Sequence, residues 1–249
     1  MKHPYQGLWS RIAFCVRRNG LAEVFLIPLR MGVGPVLIPL LPRREFPFEG
    51  RMLPYGYHRY NVTWANERAL EIPIARAVIE GIASERLLEV GNVLSHYLPV
   101  RHTVLDKFEA GVGVVNEDIL SWNPGRSFDL ILSVSTYEHI GFDDDDRDPT
   151  GARILEAIHR SRGWLNPGGR LVLTAASGYN PAFDALVAGN RFGAARRHFY
   201  WRATWGRWEV CDEARYLATH YNRPHAFGNA LVVAEFRSPE SADPSSHAR

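Results

Sequence analysis

Acidic side chains follow one short apolar run after another in this chain, each placed where a carboxylate could meet a ligand. Leu87-Leu88-Glu89-Val90-Gly91-Asn92 closes an apolar run with an acid, a glycine and an amide. Seventeen residues after Glu89, Val104-Leu105-Asp106 closes another. Val114-Val115 leads into Asn116-Glu117-Asp118, and Phe128 to Val134 leads into Ser135-Thr136-Tyr137-Glu138-His139. A glycine lets backbone approach a ligand, and an acid after the following strand accepts from ribose hydroxyls, so the spacing predicts a nucleoside site. His139 titrates near neutrality when unperturbed, which makes it the candidate general base.

Such residues work only if a scaffold brings them together. Leu70, Ile74, Val78 and Ile82 recur every four residues and predict a helix, with Pro73 in its first turn. Strands are expected over 86–90, 100–105, 114–115, 128–134, 170–175 and 231–236, and a short helix over 93–97. Another helix is expected after Thr150, with Ile154, Leu155, Ile158 and Leu165 on its apolar face and Asn166-Pro167-Gly168-Gly169 as its stop. A further short helix is expected over 181–188. Strands alternating with helices imply an α/β fold, a doubly wound and mostly parallel sheet whose ligands sit beyond the carboxyl ends of the strands.

The chain has 249 residues, 46% hydrophobic and 22% charged, with a formal net charge of +2. That fits one large domain, or one domain with an extension, and gives no electrostatic case for nucleic acid. The two cysteines, Cys15 and Cys211, match no zinc or C-x-x-C spacing, so no metal is expected, and their scarcity reads as cytosolic.

In order along the chain, these motifs resemble the class I S-adenosylmethionine-dependent methyltransferases over about residues 60 to 236. Leu88-Glu89-Val90-Gly91 is similar to the family's first motif and Asp106 to its ribose-binding acid. Glu117-Asp118-Ile119 is similar to the segment that meets adenine. Phe128 to Ser133 with Glu138-His139 is similar to the fourth-strand motif, and Leu165 to Leu171 to the turn before strand five. The resemblance implies a seven-stranded Rossmann-like sheet ending in an antiparallel hairpin, S-adenosyl-L-methionine as cofactor, and methyl transfer to a small-molecule acceptor. It implies cofactor contacts by Glu89, Gly91, Asn92, Asp106, Glu117, Asp118 and Ser135. The residues themselves offer Arg68 as a charge-assisted partner of the cofactor carboxylate or as a surface ion pair, Tyr137 and Tyr179 as acceptor-pocket lining or as packing, and His139 as base, although the Glu-His pair has no common catalytic duty in the family. Val93 and Ser95 stand where the family usually has further glycines. The alternative on the same fold is a non-catalytic nucleoside-binding or scaffold protein, with a nucleic-acid methyltransferase behind it.

Residues 1–60 are expected to form an irregular extension or lid, 61–237 the methyltransferase-like domain, and 238–249 a disordered tail. In the apolar stretch from Phe25 to Pro42, Arg30 and four prolines are expected to interrupt any helix, leaving a buried loop, a lid, peripheral membrane contact through 25–42 or plain core packing as the candidate roles. Asp143 to Asp146 read as a solvated acidic loop. The arginine- and aromatic-rich segment from Arg191 to Trp208 reads as packing, an acceptor lid or a base-stacking surface. The oligomeric state is left open.

Overall fold

A computed structural model describes residues 12, 16, 20–143, 147–204 and 206–238. Its centre is an eight-stranded sheet. The strands are β3 (Leu87–Val90), β4 (Thr103–Leu105), β5 (Val114–Val115), β6 (Phe128–Val134), β7 (Leu165–Ala176), β8 (Arg196–Thr204), β9 (Arg207–Cys211) and β10 (Ala230–Arg237). Their spatial order is β5-β4-β3-β6-β7-β10-β8-β9. β3 to β7 run parallel, while β10 is antiparallel to β7 and β8, and β8 to β9. The expected doubly wound, mostly parallel sheet is therefore present, with β9 as an eighth strand beyond the seven anticipated.

Side-chain alternation sorts the sheet's two faces. Leu88, Val90, Ile131, Leu171, Leu173 and Val232 enter one core. Leu87, Leu130, Leu132, Val172, Leu231 and Val233 enter the other. The first face is covered by α3 (Ala152–Gly163), α4 (Pro181–Val187) and α5 (Glu213–Leu217), through Ile154, Ile158, Phe183, Leu186 and Tyr216. The second is covered by α2 (Arg68–Ile79), through Leu70, Ile74 and Val78. The predicted helix around residue 93 is only a 3-10 turn, Leu94–His96. Leu165 belongs to β7 rather than α3, and the register shift between Phe128 and Leu130 marks where Asn166-Pro167-Gly168-Gly169 is accommodated within the strand.

Among the described residues before 60 there is regular structure rather than an irregular extension. It contains α1 (Leu21–Leu37) and an antiparallel hairpin of β1 (Glu45–Phe48) and β2 (Arg51–Pro54). Alternation in Glu-Phe-Pro-Phe turns Phe46 and Phe48 inward against α2 and Tyr200. The Tyr55 hydroxyl accepts from Trp208 N at 2.8 Å, and the Tyr200 hydroxyl donates to Pro47 O at 2.8 Å. Pro28 and Pro35 lie inside α1, which runs through the positions expected to interrupt it. A proline fixes a helix-compatible φ and removes one donor, so a helix anchored along one side can retain it.

Much of the arginine-aromatic segment is packed, while Arg191, Arg196 and Arg207 stay exposed. Phe192, Phe199, Tyr200 and Trp208 are buried. Arg197 pairs with Glu213 at 2.6 Å, and Arg215 lies 3.8 Å over the Trp201 ring. Of the expected tail only Ser238 is described; it is buried, and its N–H donates to Gly169 O. Cys15, Trp205 and Asp144 to Asp146 lie outside the described residues.

Candidate active site at the sheet's reversal point

From β3 the sheet grows one way through β4 and β5 and the other way through β6 and β7. Such a reversal leaves a crevice at the carboxyl ends of the strands. Gly91, just past β3, has φ +89°, and a Cβ there would come within 2.1 Å of Thr136 Oγ1. The exits of β3 and β6 therefore touch, and only glycine fits between them.

The loop that follows is held by Glu89. One carboxylate oxygen accepts from Val93 N at 3.0 Å and Leu94 N at 2.8 Å, and the other pairs with His102 Nε2 at 2.8 Å. Glu89 is fully buried. Its carboxylate supports the loop from beneath, and its full burial, not the number of donors it accepts, distinguishes it from the half-buried Asp106. This also accounts for the missing glycines: Val93 takes φ −103° and ψ −47°, which any residue adopts, and opens a 3-10 turn that Glu89 caps.

Asp106 fastens three strand exits together. Its Oδ2 accepts from Asn92 N at 2.8 Å, and its Oδ1 from Phe108 N and Glu109 N at 2.8 and 2.7 Å. Its carbonyl accepts from Asn116 Nδ2 at 2.8 Å. A carboxylate oxygen takes about two donors, so Oδ2 retains room for one more. Asn92 Nδ2 donates to Glu109 Oε2 at 3.0 Å, which brings in a second acid that motif order did not select. Asp118 stands at the exit of β5, where Lys107 Nζ reaches it at 2.8 Å. Burial works to raise its pKa, but the Lys107 ammonium and the Leu120 N–H outweigh this and hold it low. Glu117 is exposed.

Beneath β6 lies a buried charged cluster. Arg68 pairs with Glu71 at 3.2 Å, and Glu71 accepts from the Ser135 and Thr174 hydroxyls at 2.6 Å each. Ser135, expected to touch cofactor, turns its hydroxyl toward α2 instead, with φ +43° at the strand exit. Burial disfavours the Arg68 charge, yet Glu71, Tyr97, Glu67 and Glu138 together push its pKa up, so it stays cationic. Glu67 and Glu138 are raised, first by burial; Glu138 reaches about 7, with Glu71 adding to the rise. Three buried carboxyl groups thus surround one guanidinium. Two buried acceptors flank this region without a hydrogen bond: Asn92 Oδ1 past β3 and Glu138 Oε2 past β6.

The exits of β6 and β7 meet in an aromatic and acidic cluster. His139 Nδ1 and the Tyr179 hydroxyl both bond Asp143 Oδ2, each at 2.5 Å. His139 packs edge-on to Tyr179, and Tyr179 to Tyr221. An ionised carboxylate only accepts, so Nδ1 carries a proton, and in the neutral tautomer this selects the lone pair stands on Nε2. Asn180 caps α4 through Ala182 N and donates to Glu138 O at 2.8 Å, which joins the two exits. Tyr137 does not line this cluster. It is fully buried, and its hydroxyl bonds Ser161 Oγ of α3, because the turn after β6 rotates its ring into the core.

Gly91, Asn92, Asp106 and Asp118 thus gather at one end of the sheet, with His139 and Tyr179 at the next two exits. Glu89, Ser135 and Tyr137 point inside, Arg68 is held by Glu71, and Glu117 is exposed. Glu109 has no place in the sequence motifs, while Glu138 reads there only as part of the fourth-strand motif and Asp143 only as part of an acidic loop. A four-residue spacing from His139 was the available sign for Asp143, and a three-residue spacing from Asp106 for Glu109.

No family model matches the chain, and no curated protein matches it. Solved structures do. N-methyltransferase NodS from Bradyrhizobium japonicum WM9, in complex with S-adenosyl-L-homocysteine, is 20% identical over 70% of this chain and 88% of that one, with a TM-score of 0.43. A SAM-dependent methyltransferase from Archaeoglobus fulgidus is 13% identical over 68% and 94%, with a TM-score of 0.41. The glycopeptide N-methyltransferase MtfA with S-adenosyl-L-methionine is 16% identical over 66% and 86%, with a TM-score of 0.34. Likeness at this level decides nothing about chemistry, which must come from the side chains.

Proposed function

We propose that this protein binds S-adenosyl-L-methionine across the exits of β3 to β6 and transfers its methyl group to a small-molecule acceptor held by the His139–Tyr179 cluster. The observation that carries the reading is the Asp106 carboxylate, which joins the β3 and β4 exits at the reversal point and retains acceptor capacity for a sugar hydroxyl. The unpartnered acceptors Asn92 Oδ1 and Glu138 Oε2 suit a ligand rich in donors.

When bound, the cofactor supplies a methyl group already made electrophilic by its sulfonium. The chain's own work is alignment and the exclusion of water. Gly91 and Asn92 offer backbone and amide to the nucleoside, Asp106 its carboxylate to the ribose, and Asp118 a fixed acceptor near the base. Glu89 and His102 hold the loop from below. Asp143 fixes the His139 tautomer with Nε2 free, so His139 can take a proton from an acceptor that must lose one.

Calorimetry with S-adenosyl-L-homocysteine tests the binding half. The expected result is one site per chain, weakened in Asp106→Ala. Absence of binding by the intact protein refutes the reading. Methyl transfer to any acceptor separates the enzyme from a non-catalytic nucleoside-binding protein.

A further inference from the structure

Helix α1 is built inside out. Its two charged residues, Glu23 and Arg30, pair with each other at 2.6 Å, with Glu23 buried. Ile27 and Met31, on the same side, pack with Ile38 and Leu41 against Val62, Trp64, Ala65 and Phe227. A Cβ on Gly34 would lie 3.2 Å from Arg59 Cβ, so the helix sits close on the body. Every exposed residue of α1 is apolar. Leu21, Phe25, Leu29 and Val36 are 65%, 70%, 60% and 69% exposed, and Leu40 beyond the helix is 77% exposed. A surface helix in water turns its charges out and its apolar stripe in. Here the outward stripe has no cover among the described residues.

The charge around the stripe identifies what covers it. Arg17-Arg18 precede the apolar segment and Arg43-Arg44 follow it. Residues 1–44 hold seven basic side chains and a single acid, although the whole chain is only +2. A second copy would set this positive flank against another like it. An anionic surface matches it.

We infer that α1 lies flat on an anionic phospholipid surface, with Leu21, Phe25, Leu29, Val36 and Leu40 in the acyl boundary and the exposed Arg43 among the headgroups, while Arg44 is tied to Gly206 O. By length and composition Leu21–Leu40 could cross a membrane. The face fixed to Trp64 and Phe227 instead keeps it in the interface plane, since crossing would strip it from the body. The inference does not depend on methyl transfer.

Co-sedimentation of the full chain with phosphatidylglycerol-containing vesicles, against phosphatidylcholine alone, is the test. The expected result is binding to the anionic vesicles that falls at least tenfold on neutral ones and at least tenfold in Phe25→Glu/Leu29→Glu. The milder Leu29→Gln/Val36→Gln variant is expected to fall between, and near-ultraviolet circular dichroism checks that both variants fold. S-adenosyl-L-homocysteine calorimetry on the same samples keeps the two proposals separate. No binding to anionic vesicles, or equal binding by the Glu variant, overturns the inference. So does a dimer in light scattering that Phe25→Glu dissociates, or bound protein that resists carbonate extraction as a spanning helix does.

Discussion

Replacing Glu138 by Gln removes a buried acid while keeping its shape. In the folded protein its carboxyl is pushed up to about 7, by burial first and with repulsion from Glu71 adding to it, while His139 and Arg68 pull the other way. In the unfolded chain it titrates near its ordinary value of 4.5. The folded state therefore holds the proton more tightly, and this contribution is complete below the unfolded pKa and lost as pH rises through the folded one. At 1.36 kcal/mol per pKa unit, ionisation costs the native state about 3 kcal/mol once the pH is well above 7. Part of that is already lost near pH 5.5, so between about pH 5.5 and about pH 8 the wild type should lose about 2 kcal/mol relative to Glu138→Gln. Urea unfolding of both proteins across that range reads the difference directly. Stability curves that stay parallel would refute the placement of an unpartnered, raised carboxyl beneath β6.

Asp106→Ala removes an acceptor of three backbone donors and should weaken S-adenosyl-L-homocysteine by about 1–3 kcal/mol, read by calorimetry. Gly91→Ala forces a Cβ against Thr136 at positive φ and should cost about 2 kcal/mol or more of stability; Thr136→Ala should recover part, and strict additivity in the double-mutant cycle would exclude the contact. Glu89→Ala leaves His102 and two loop donors without their carboxylate and should cost about 3 kcal/mol in denaturant unfolding. Nitrogen-15 spectra of His139 should show the Nδ1–H tautomer in the wild type, lost in Asp143→Asn; an Nε2–H resonance in the wild type contradicts the assigned base.

The sheet was legible because its central strands are buried on both faces. Phe128 to Val134 reads as an unbroken apolar run for that reason, and its bounds agree with β6. The hairpin of β1 and β2 is illegible in the sequence: the alternation of β1 spans only four residues, each strand contains a proline, and contact with α2 and Tyr200 orders them. The continuity of helix α1 is not legible in the sequence because Pro28 and Pro35 are tolerated only through the body that packs against one side. At the site, chain order located each polar exit but not the direction of its side chains. Glu89 and Asp106 look alike as acids after strands. Yet Glu89 turns under the loop toward His102, while Asp106 faces the crevice, a difference set by packing.

A crystal structure with S-adenosyl-L-homocysteine tests the central claim most directly. The nucleoside should lie over Gly91 and Asn92, with its sugar hydroxyls on Asp106 and its sulfur toward His139 and Tyr179. Density instead in the 580 Å³ cleft between β2 and α2, lined by Tyr55, His58, Arg76 and Tyr97, would contradict the account.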